Sequence, residues 1–72
     1  MVNAQTLFMY FNYHAKVKKL IRDGRAVNYE ILSSYHNITP CLLIYFKDEK
    51  PMPIRQDHFD EYIKLLNDYG IF

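Results

Sequence analysis

The sequence predicts a small α+β domain of order α-β-β-β-α, a three-stranded antiparallel meander with both helices packed on one face. Three observations carry this expectation. Apolar residues recur at helical spacing near both ends of the chain, the middle switches to period two and then to an unbroken apolar run, and turn residues mark each change of pattern. No repeat or linker-like stretch divides residues 1–72, so one domain is expected.

From about Thr6 to Asp23 the chain reads as a helix, because Met9, Tyr10, Tyr13, Val17, Leu20 and Ile21 cluster on one side when wound at about 100° per residue. Gly24 is placed to end it in a left-handed conformation, and Lys18, Lys19 and Arg22 suit the negative end of the helix dipole. Within it, Leu7, Phe8, Met9, Tyr10 and Phe11 are apolar all the way round, so this turn has two greasy sides.

Ala26 to Tyr35 follows a period of two, with Val27, Tyr29, Ile31 and Tyr35 on one face and Asn28, Glu30 and Ser34 on the other, which predicts a half-buried strand. Cys41 to Lys47 is a bounded apolar run rich in Ile, Leu, Tyr and Phe, and reads as a central strand covered on both faces. Pro51 to Arg55 alternates Met52 and Ile54 with two prolines that cannot donate ladder bonds, so it is expected at an edge. Asp57 is the expected N-cap of a last helix, with Asp60 and Glu61 in its first turn and Asp60 above Lys64 at i,i+4. Phe59, Tyr62, Ile63, Leu66 and Tyr69 form its apolar stripe, and Gly70 closes it before Ile71 and Phe72.

Chains this short bury only about 60% of their unfolded surface, and a single small core rarely supplies more than about 3–5 kcal/mol. Cys41 is the one cysteine, so no intramolecular disulfide adds to that, and its apolar flanks predict a buried thiol. No signal-peptide pattern is present and the longest apolar run is far too short to span a bilayer, so a cytoplasmic protein with no membrane association is expected. Abundant Phe, Tyr, Ile, Asn and Lys match the bias of AT-rich coding sequence and point to a bacterial or phage source.

Catalytic chemistry finds little footing. His14, His36 and His58 have no Cys, His or carboxylate at metal-ligand spacing, so no metal or other cofactor is expected. Ser33, Ser34 and Cys41 lack a nucleophile elbow, and two glycines cannot build a phosphate-cradling loop. The adjacent carboxylates of Asp60 and Glu61 complement a helix dipole rather than form an acid/base pair. A chain of 8.7 kDa also struggles to enclose the several hundred Å³ that a small-molecule site needs, so no enzyme and no small-molecule substrate are expected.

Two surfaces remain. Leu7, Phe8, Phe11 and Ala15 line the side of the first helix opposite its core stripe, and with seven tyrosines in the chain they suggest an interface. A homodimer through this side would also answer the thin stability margin, which makes a non-enzymatic interaction module, acting on itself and on another protein as a regulator or inhibitor, the first expectation. The alternative is a weak nucleic-acid binder. Lys16, Lys18, Lys19, Arg22 and Arg25 against Asp23 leave the first 25 residues at +4 while the whole chain carries +1, a basic strip that could meet phosphates.

The α-β-β-β-α order resembles that of the double-stranded-RNA-binding domain, and the resemblance implies a shared element order. Its motifs are absent: the loop His36-Asn37-Ile38-Thr39-Pro40 lacks the family's glycine, and its lysine-rich helix opening is here Gln56-Asp57-His58-Phe59-Asp60-Glu61, which would repel phosphate.

Overall fold

The computed structural model describes the backbone of residues 4–72 and the side chains of residues 12–72. The elements are α1 (Ala4–Arg22), β1 (Ala26–Leu32), β2 (Cys41–Phe46), β3 (Met52–Arg55), a 3₁₀ turn (Gln56–His58) and α2 (Phe59–Asp68). The strands form one antiparallel sheet in the order β1-β2-β3. The expected α-β-β-β-α meander is therefore the architecture of the chain.

Pleat parity decides which side chains meet. Leu42, Ile44 and Phe46 of β2 share one face with Ile54 of β3, and they form a single buried cluster with Val17, Leu20 and Ile21 of α1 and Tyr62 and Leu66 of α2. Both helices thus cover the same face of the sheet. On the opposite face Cys41 and Leu43 are also buried, as expected for the central strand, whereas Glu30 and Arg55 beside them are exposed. There the Tyr45 hydroxyl donates to the Glu30 carboxylate, which raises the tyrosine above its usual pKa.

Both helices end in the same way. Gly24 sits at φ +79°, its N–H donates to the Ile21 carbonyl, and the Arg25 N–H reaches back to the Leu20 carbonyl. Gly70, at φ +82°, repeats the pattern with Asn67, and the Ile71 N–H reaches Leu66. These paired bonds satisfy carbonyls that a helix end leaves open, and they turn Ile71 back onto the core.

Several boundaries differ from expectation. β1 stops at Leu32, and Tyr35 instead faces Ile38 across a two-residue turn in which His36 and Asn37 take positive φ. Asp57 does not cap α2. It lies within the 3₁₀ turn, and His58 occupies the N-cap position without a side-chain capping bond. Tyr69, placed by its spacing in the apolar stripe, is 47% exposed because the helix has already ended there.

Candidate functional site

The two edges of the sheet differ chemically. In β3, Pro53 has no amide hydrogen, and its carbonyl already accepts a bond of 2.8 Å from the Tyr13 hydroxyl of α1. That bond half-buries Tyr13, and burial, with Cys41 and Tyr35 nearby, pushes its phenol up to about 12. This edge offers little to another strand.

β1 is more open. Its ladder with β2 carries an extra residue at Val27, where the register shifts between Ala26 and Asn28. Beyond this bulge Tyr29 lies opposite Ile44 and Ile31 opposite Leu42, so both belong to the helix-covered face. Tyr29 packs on the core, but Ile31 is 55% exposed and Val27 58% exposed, because the helices do not reach this margin. The sequence correctly places Tyr29 and Ile31 on one face, but the bulge at Val27 interrupts the expected alternation, and Val27 and Ile31, expected to be half-buried, project into solvent. The Tyr29 N–H donates to the Asn28 side-chain carbonyl at 2.8 Å, so it is turned away from β2, and strand parity turns the amide of Ile31 the same way.

A second concentration of polar chemistry sits where α1 meets the start of α2. His14 and His58 stack with ring centroids 4.5 Å apart, and His14 Nδ1 lies 2.7 Å from the hydroxyl of fully buried Tyr62. Burial, together with the neighbouring imidazole and the Lys18 ammonium, holds His14 below its usual pKa, against the opposing pull of Glu61 and Asp57. The Tyr62 hydroxyl also donates to the His14 carbonyl at 3.4 Å, and the tautomer of His14 sets which partner donates in its bond with Nδ1. Asp57 and Glu61 approach His58 at 3.8 Å each. Glu61 also pairs with Lys18 across the helices, and this pairing lowers its pKa. The cluster is a polar clasp between helices. Among the described residues no three metal-ligating side chains converge on one point.

Beside the clasp lies an open hollow of about 270 Å³ lined by Tyr13, His14, Ile38, Pro53 and Arg55. That is just under the roughly 300 Å³ at which small-molecule sites begin. Cys41 is fully buried and burial raises its thiol pKa, which leaves it a poor nucleophile.

Of the expected interface side chains, Ala15 is exposed, while Leu7, Phe8 and Phe11 lie outside the residues whose side chains are described, as do Met9 and Tyr10 of the core stripe. The basic ridge is partly engaged: Lys18 pairs with Glu61, Lys19 with Asp23 at 3.2 Å, and Arg25 donates to the Lys47 carbonyl at 3.1 Å. Lys16 and Arg22 stand exposed. No helix among the described residues is long and apolar enough to cross a membrane.

No protein-family model matches the chain, and comparison with curated proteins and with solved structures returns no match.

Proposed function

We propose that the chain is a non-enzymatic protein-interaction module that works as a homodimer and regulates or inhibits another protein, in the cytoplasm of a bacterium or in a phage-infected cell. The observation that supports this reading is the pair of branched apolar side chains, Val27 and Ile31, that stand more than half exposed on a sheet margin of such a small domain. Neither the shallow hollow nor the inter-helix clasp supplies an activated nucleophile with a base, which favours binding over catalysis.

Sedimentation velocity from low to high micromolar concentration tests the reading. The expected species has twice the 8.7 kDa mass of one chain. A single monomeric species throughout the range would refute the homodimer. Titration with generic DNA and RNA at low salt separates the alternative: tight binding that falls steeply with added salt would transfer the function to Lys16, Arg22 and their neighbours.

A further inference from the structure

We propose that two copies join antiparallel through their β1 strands, about a two-fold axis beside Tyr29, to make one continuous six-stranded sheet. This rests on the interaction-module reading and names the second copy as the first partner of that surface.

Edge chemistry selects the strand. Pro53 deprives β3 of a donor and Tyr13 already occupies the Pro53 carbonyl, whereas the outer side of β1, past its bulge, carries the amides of Tyr29 and Ile31. Exposure then selects the register. In an antiparallel self-pairing every contact occurs twice, so a patch must complement itself. Centring the axis on Tyr29 sets Val27 of each copy against Ile31 of the other, which brings together the two most exposed apolar side chains of the strand. The same register sets Asn28 against Glu30 and so avoids a Glu30–Glu30 contact, which a shift of the axis to Glu30 would create. A shift to Asn28 would leave Ile31 facing Arg25, outside the strand.

One local bond must be exchanged. In the single copy the Asn28 side chain occupies the Tyr29 N–H. On pairing, the Tyr29 carbonyl of the second copy takes that place, and the released carboxamide reaches the opposing Glu30. Asn28 thus acts as a placeholder that keeps the margin hydrogen-bonded until a strand arrives.

A charge-complementation experiment reads the register directly. Val27→Lys and Ile31→Glu, made separately, each break two contacts of the homodimer and are expected to weaken self-association by about tenfold or more. Mixing the two variants should restore a dimer containing one copy of each, because the introduced lysine then faces the introduced glutamate while Ile31 still faces Val27 on the other side of the axis. Both positions are more than half exposed, and circular dichroism checks that the fold is retained. Independently of any variant, exchange of the Tyr29 and Ile31 amides in the wild type should slow as concentration rises.

A wild-type dimer whose mass is unchanged by either variant, or whose β1 amides exchange equally fast at all concentrations, would overturn the β1 pairing and leave the homodimer reading intact. Failure of the mixed variants to associate would overturn the register. A monomeric wild type would remove both.

Discussion

Replacing Tyr62 by Phe isolates the work of one hydroxyl. The ring is fully buried between the sheet and α1, and Phe fills the same space, so no cavity opens and the change is confined to the bonds with His14. A hydrogen bond of this kind contributes about 0.5–1.5 kcal/mol net. His14 itself is only partly buried and lines the open hollow, so water can reach the imidazole left behind and the full penalty of an orphaned buried group is avoided. The expected loss is therefore about 1 kcal/mol, which for a domain of this length lowers Tm by about 4–8 °C. Against a total margin of about 3–5 kcal/mol that is a large fraction. Thermal and urea unfolding followed by circular dichroism, at fixed protein concentration, would measure it, with the urea m-value unchanged. A double-mutant cycle with His14→Gln, which keeps an acceptor but no titratable ring, assigns the loss to the pair. An unchanged or raised Tm for Tyr62→Phe would refute the assignment of stability to this contact.

The pH dependence follows from the same contact. His14 is held below the ordinary imidazole value of 6.5, so as pH falls the unfolded chain takes up this proton before the folded one; the stability is whole above 6.5, is lost as pH falls below it, and levels off beneath the folded pKa. His14→Gln should flatten the stability profile between neutral pH and about pH 5, and an unaltered slope would show that another group controls it. Glu61, depressed by Lys18, acts in a separate window: its contribution is present above the ordinary carboxylate value of 4.5 and is lost only as pH falls through the lower folded pKa, so Lys18→Met should shift the midpoint of the most acidic part of the profile. At Gly24 an added Cβ meets nothing within 4 Å, so Gly24→Ala should cost only the left-handed backbone penalty of about 1–2 kcal/mol, and Gly24→Asn less, as read by chemical denaturation. Cys41 should resist alkylation in the native protein and react as the domain unfolds; rapid labelling under native conditions would contradict its burial.

The legible and the illegible parts of this sequence divide by range. The stripe of α2 and the glycine ends of both helices depend on residues within a few positions of one another, and their pattern carries over to Tyr62, Leu66, Gly24 and Gly70. The uninterrupted run Cys41 to Phe46 likewise announces a strand covered on both faces. Alternation along Val27, Tyr29 and Ile31 identifies a face of β1, but it carries no information about how far along the sheet the helices reach, and the exposure of Val27 and Ile31 turns on that distance. His14 and His58 are remote in sequence and meet only because α1 crosses the start of α2. A signal was present all the same: His14 and Lys18 share one helical row at i,i+4, while Asp57 and Glu61 place carboxylates around His58 at the start of the other helix, so the two rows are electrically matched. Asp57 misled because a 3₁₀ turn precedes α2 and absorbs the residue that a capping rule would choose.

The sealed β3 margin also limits assembly. A sheet with two free borders can recruit a neighbour on each side and lengthen without end, which is the route to fibrils. Here Pro53 and the Tyr13 bond to its carbonyl weaken one border, so in the proposed pairing a molecule that spends β1 on a companion has a poorer second border to offer. In the proposed β1 pairing growth would stop at a pair, and a chain with half its residues hydrophobic would keep a defined stoichiometry at concentrations where a symmetric sheet would polymerise.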